Sequence, residues 1–124
     1  MKKIPSDSLT PLTPAVFHIL LALADGEKHG YAIMKDVETQ TEGRMKMGPG
    51  TLYGSIKRML ATGLIQEVGQ RPDSELGDER RRYYRLSGVG QEMVSVESRR
   101  LEKAVQAARQ KQVLPKTPIA EVKS

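Results

Sequence analysis

Cysteine and tryptophan are absent from this chain of 124 residues, and its aromatic residues number only five, four Tyr and one Phe. Without cysteine there is no disulfide framework, no thiolate metal site and no cysteine nucleophile, which suits a reducing compartment. The longest apolar run, Ala15 to Ala24, is broken by His18 and is too short to span a bilayer. No basic flank directly precedes it, and the small-residue cleavage site of a signal peptide is missing. A cytoplasmic protein with no membrane contact is expected. Catalytic machinery is also lacking: no nucleophile stands with an acid–base pair, and neither His18 nor His29 has further ligands at i+3 or i+4 for a metal. The stretch GPGTLYG, Gly48 to Gly54, lacks the GK[ST] ending of a phosphate-binding P-loop. No enzyme, metal or cofactor is expected.

What remains is a soluble, basic chain with room for about one domain and an appendage. Charged residues make up 28%, hydrophobic ones 38%, and the formal net charge is +5. This balance permits a polyanionic partner.

The order of elements narrows the class. Residues 1–12 are rich in Pro, Ser and Lys and read as a flexible arm. Thr13-Pro14 is a helix start, a capping hydroxyl followed by a proline at the first helical position, and the helix is expected to run to Asp25-Gly26. It is apolar nearly all round, so part of its surface, with Phe17, Leu20 and Leu21, is expected to meet a second subunit. A second helix from Gly30 to about Thr41 presents Tyr31, Met34 and Val37 to a core at spacings of three.

A third helix starts from Gly48 as cap, with Pro49 at its first position. The glycines fall in the first turn, where backbone amides have no internal partner. Leu52, Ile56, Met59 and Leu60 form its buried stripe; Thr51, Gly54, Ser55 and Arg58 take the opposite side, Tyr53 and Lys57 its edge. Gly63 ends it. LIQEVGQ and RRRYYRL then read as two strands of a hairpin separated by a polar loop. From Ser87 a long helix follows, with Met93 or Val94, Leu101, Ala104 or Val105, and Ala108 near heptad spacing, interrupted by Glu97 and Ser98. Its thin stripe calls for a partner helix. The expected fold is mainly α with a small β-hairpin: a winged helix-turn-helix over 13–86, a dimerisation helix over 87–113 and a disordered tail over 114–124.

Five segments, LTPAVFHILLALA, KHGYAI, GPGTLYGSIKRM, GLI and RRRYYRLSGVG, occur here in an order and spacing that resembles the PadR family of bacterial transcription regulators. The resemblance runs from about Leu12 to Glu92. It implies a homodimeric repressor in which the C-terminal helix, helped by the first helix, makes the dimer. It also adds a small-molecule effector as a further partner. With no tryptophan, a flat aromatic effector would have few stacking partners. Departures from the family pattern are Gly48 where Ser or Asn often caps the third helix, Gly54 where Pro commonly follows the tyrosine, and acids at Asp73, Glu75, Asp78 and Glu79 between the wing strands.

Double-stranded DNA demands cations and amide donors for its phosphates and side chains that reach base edges. Gly50 and Gly54 let the third helix approach closely, Thr51, Tyr53 and Ser55 offer hydroxyls, and Lys57 and Arg58 offer charge. Arg44, Lys46, Lys57 and Arg58 give four cations and no acid from Arg44 to Leu60. In the wing, the resemblance assigns backbone or minor-groove contacts among Arg80, Arg81 and Arg82. The function these residues point to is a dimeric DNA-binding regulator on a roughly palindromic operator; the alternative is a winged-helix adaptor whose basic face meets an acidic protein.

Overall fold

The structure, a computed structural model, describes residues 12–72 and 80–116; of Pro72 and Arg80 only the backbone is described. The arm before Leu12, the acidic stretch 73–79 and the tail beyond Lys116 lie outside the described residues.

Local capping sets the helix starts. Thr13 Oγ1 accepts from Val16 N–H (3.2 Å) at the head of α1, Pro14–Ala22. His29 Nδ1 accepts from Ala32 N–H (3.1 Å) at the head of α2, Gly30–Gln40. Gly48 offers no side chain to α3, Pro49–Ala61, where Pro at the first position removes one orphan donor instead. Ser87 Oγ accepts from Gly90 N–H (3.0 Å) at the head of α4, Gly88–Gln110. At the end of α3, Gly63 takes φ +80° and Leu64 N–H bonds back to Met59 O (2.9 Å), a turn that glycine adopts without strain.

The sheet has one strand more than the hairpin read from sequence. Strand β1, Lys28–His29, pairs antiparallel with β3, Arg80–Leu86, which pairs in turn with β2, Ile65–Pro72, giving the order β1-β3-β2. Lys28 lies opposite Tyr84 and His29 opposite Tyr83. A register shift between Glu67 and Gly69, with Gly69 at φ +117°, bends β2.

One core joins these layers. Ile19, Leu20, Ala22 and Leu23 from α1 and its end meet Ile33 and Val37 of α2, Leu52, Ile56 and Met59 of α3, Leu64 and Ile65 at the start of β2, Tyr84 of β3, and Met93 and Val94 of α4. Each Leu, Ile, Val or Met side chain withdrawn from water contributes about 1.5–3 kcal/mol.

Several expectations are corrected by this packing. Helix α1 ends at Ala22, because Leu23, Ala24 and Gly26 form successive turns with their amides on carbonyls three or four residues back. Helix α4 ends at Gln110: Gln112 takes a left-handed φ of +67° and Val113 N–H reaches back to Ala108 O (2.8 Å). Leu20, Met93 and Val94 are buried within the chain itself, so they build its core and offer no surface to a second subunit. Tyr31 faces solvent while Ile33 takes the core position beside Val37. His18 is tied within the chain, its Nδ1 2.6 Å from Gln40 Oε1, linking α1 to α2.

Glu97, an interruption in the apolar stripe by sequence, is buried. Its carboxylate receives Arg100 through Nε (3.0 Å) and Nη2 (2.5 Å) and accepts a bond from the backbone of Leu12. The Arg100 guanidinium, against the opposing effect of burial, holds this carboxyl below the ordinary carboxylate range. Close approach matters at Gly90, where any side chain would run into the carbonyl oxygen of Leu64; Leu64 O is also the acceptor for Ser87 N–H (3.1 Å).

Two outcomes follow from the α4 contacts. Gly90→Ala should lower the free energy of unfolding in urea by about 1–3 kcal/mol through overpacking, whereas Gly88→Ala, with open space around it, should change it little. A carboxyl with a depressed folded pKa stabilises fully above its unfolded pKa and loses that contribution as pH falls through the folded value. Stability measured on acidification should therefore drop below the usual carboxylate range, and the Glu97→Gln variant should show a shallower acid slope; an unchanged slope would exclude this pair as a source.

Candidate nucleic-acid interface

Helix α3 buries Leu52, Ile56 and Met59 and leaves Gly50, Thr51, Tyr53, Lys57 and Arg58 exposed, with Gly54 half-buried. Core packing on one side thus fixes the orientation of the hydroxyls and cations on the other. Arg44 and Lys46 are exposed in the segment leading into α3, on the same cation-rich, acid-free stretch of chain. Ser55 departs from the expected arrangement. It is buried, and its Oγ accepts from Arg58 Nη2 (3.3 Å), so it steadies that arginine and is withdrawn from any external partner.

The wing arginines divide by their surroundings. Arg81 Nη1 lies 3.0 Å from Nδ1 and 3.3 Å from Nε2 of His29, and its guanidinium stands 5.3 Å from the Tyr31 ring centre. Arg82 is 63% exposed, and its nearest described acid, Glu67, is 3.9 Å away. Arg80 closes the register of β3 opposite Pro72, and its side chain lies outside the described residues.

A run of alternating cations and rings crosses this part of the molecule. Arg71, paired with Glu27, lies 4.3 Å from the centre of the Tyr83 ring. Tyr83 meets His29 edge to face at 5.3 Å, His29 meets Arg81, and Arg81 meets Tyr31, which Lys35 approaches at 5.7 Å. Cations over ring faces gain from the ring quadrupole, about 0.5–1 kcal/mol each where exposed. Sequence reasoning missed this arrangement, since it depends on His29 standing opposite Tyr83 across two strands. The signal available was compositional, all four tyrosines falling within segments KHGYAI, GPGTLYG and RRRYYRL.

The surface expected to meet a second subunit is reduced but present. Leu21, Leu101 and Val105 are exposed, while Phe17 and Ala108 are half-buried. Phe17 and Leu101 line one groove with Leu12 and Pro14, between α1 and α4. Among the described residues no group of three His, Asp or Glu could hold a metal ion, and no helix is long and apolar enough to cross a membrane.

Comparison with known proteins gives the family. The chain is 41% identical over 80 residues to an uncharacterized 37.1 kDa protein in transposon TN4556 of Streptomyces fradiae, an overlap of 64% of this chain and 21% of that protein. It thus spans about a fifth of the length of this relative. Among solved structures, it is similar to a PadR family transcription regulator from Clostridium difficile, with a TM-score of 0.64, 21% identity, and coverage of 79% of this chain and 97% of the other. It is also similar to Bacillus subtilis PadR in complex with operator DNA, with a TM-score of 0.58, 18% identity, and coverage of 67% and 46%. At these identities the structural likeness speaks for the fold: four helices with a three-stranded antiparallel sheet. The pattern of the transcriptional regulator PadR-like family itself matches residues 19–96, well over half of the chain, and the protein belongs to that family of transcriptional regulators, which are not enzymes.

Proposed function

We propose that this chain is a cytoplasmic repressor that binds DNA as a homodimer, each subunit placing α3 in the major groove. The observation that carries this reading is the outer face of α3, where Thr51, Tyr53, Lys57 and Arg58 are exposed on a stretch with four cations and no acid from Arg44 to Leu60. That face suits phosphates and base edges together. The likeness to Bacillus subtilis PadR in complex with operator DNA supports it. The chain then divides into an arm at 1–12, a winged domain at 13–86, a dimerisation helix at 87–113 and a tail.

The dimer is supported by the apolar side chains that α1 and α4 leave uncovered. Leu101 is 38% and Val105 40% exposed; with Leu21, Phe17 and Ala108 they give a stripe that a second copy would cover. Twofold symmetry carries over to the operator, whose half-sites would lie about 34–36 Å apart, one turn of DNA. Repression follows by occlusion of a promoter, and a small effector that binds one dimer arrangement better would release the DNA.

Lys57→Ala should weaken binding to a selected operator by about tenfold and lower the salt slope by about one. Arg58→Ala should weaken it as well, with the dimer intact by sedimentation; a footprint with one unpaired site would sink the symmetric arrangement. Leu101→Asp should convert dimer to monomer in sedimentation velocity and weaken operator binding with it. Unchanged sedimentation would refute the assigned α4 contact.

A further inference from the structure

Two of the described glycines are covered so closely that a side chain would collide, and the obstacles differ in kind. At Gly90 the nearest atom is the backbone carbonyl oxygen of Leu64, which cannot give way without moving the strand that follows. At Gly30, the first residue of α2, all three nearest atoms belong to the Tyr53 side chain. A Cβ there would stand 2.6 Å from Cζ and 2.9 Å from Cε1 of the ring, and closest of all to the hydroxyl oxygen. This obstacle is the far end of a side chain carried by another helix, and it can swing.

The contact fixes how Tyr53 lies. Gly30 is buried, while Tyr53 is 48% exposed. The ring therefore reaches from α3 across the head of α2, with its hydroxyl end over Gly30 and part of its surface in water. Tyr53 stands fifth in α3, in the N-terminal part that a recognition helix turns toward base edges. A tyrosine can offer two chemistries there: an apolar ring suited to a thymine methyl, or a hydroxyl that donates and accepts. Laid back over Gly30, it offers the ring.

The backbone does not require glycine at this position. Gly30 has no positive φ and sits in a helix, where glycine costs more conformational entropy than alanine. What the missing Cβ provides is the space that the end of Tyr53 fills. Beside the ring opens a cavity of about 510 Å³, lined also by Tyr31, so a displaced ring has room to settle in another staggered rotamer. A side chain at position 30 would thus re-aim Tyr53 and leave the fold in place.

We propose that Gly30 is a positioning residue for sequence reading: by carrying no Cβ it lets Tyr53 lie across α2, so that α3 offers a ring, and not a phenolic hydroxyl, to one base pair of each half-site. The inference rests on the DNA-binding reading. It adds a buried residue of α2 that sets sequence preference through another side chain.

The test uses the full chain and selection from a randomised duplex library, with NMR contacts between Gly30 Hα and the Tyr53 ring measured alongside. Gly30→Ala should abolish proximity of the ring to position 30 and change the preference at one base pair per half-site by about fivefold or more. Its melting temperature should not fall. Tyr53→Phe should keep the wild-type preference, because the hydroxyl is turned toward α2, whereas Tyr53→Ala should lose it. Because Gly30 acts through Tyr53, adding Gly30→Ala to Tyr53→Ala should change nothing further. A Gly30→Ala preference identical to wild type overturns the proposal and leaves the DNA reading standing. So does a change of preference that Gly30→Ala still causes in the Tyr53→Ala background. If the wild type enriches no sequence and retains no duplex, the DNA reading falls and takes this inference with it.

Discussion

The two residues of β1 hold the helices and the wing in one unit. Lys28 Nζ donates to Ala22 O (2.6 Å) at the end of α1 and pairs with Asp25 and with Asp36 of α2. His29, its neighbour, caps α2, and both residues pair with β3. One dipeptide thus terminates the first helix, starts the second and supplies the sheet edge against which the wing is registered. Without it, β2 and β3 would form a two-stranded hairpin resting on the helices through core side chains such as Ile65 and Tyr84. The tyrosines of β3 are placed by the same pairing: Tyr84, opposite Lys28, turns into the core, and Tyr83, opposite His29, turns into the run of rings and cations.

That arrangement explains the different surroundings of neighbouring arginines. Alternation along β3 sends Arg81 and Tyr83 to the side where His29 stands, and there Arg81 reaches both His29 and Tyr31. Arg82, one residue on, pairs loosely with Glu67 at 3.9 Å among the described residues. Arg71 is held by Glu27 and Tyr83. A chain with a formal net charge of +5 therefore uses part of its basic charge to brace the wing against α2 and leaves Arg82, Lys57 and Arg58 outward. Net charge alone would not have separated the two groups.

What the sequence made legible was local. Thr13-Pro14, Gly48-Pro49 and Ser87 act within one turn of themselves, and Gly63 needs only its own φ, so helix starts and the end of α3 followed from residue type. The order of three helices, two strands and a long helix followed from periodicity. Strand β1 did not, because two residues carry no alternation and their pairing is decided by where β3 lies. Ser55, Leu20, Met93 and Val94 show the other limit. A helical wheel gives the direction of an apolar stripe to within one position, and the burial of these four depends on neighbours that arrive from distant segments. Glu97 read as a break in the stripe because its partners, Arg100 and the backbone of Leu12, satisfy a charge that the pattern counts only as polar.

Helix α4 shows how one stripe serves two purposes. Its first half, with Gly90, Met93, Val94 and Glu97, is fixed to the winged domain by a backbone approach at Leu64, by core packing and by the bond of Glu97 to the Leu12 backbone. The same stripe continues through Leu101, Val105 and Ala108, where Leu101 and Val105 stay partly exposed. At 1.5 Å per residue, Gly90 to Ala108 spans about 27 Å. A rigid helix of that length transmits orientation. If a second copy covers the outer half, the angle between the two α3 helices is set by the contact at Leu64 and Gly90 as much as by the dimer surface, because α4 is the lever that joins them. Any ligand that shifts the outer halves against each other would then move both recognition helices at once, and the spacing they present to DNA would change with no rearrangement inside either winged domain.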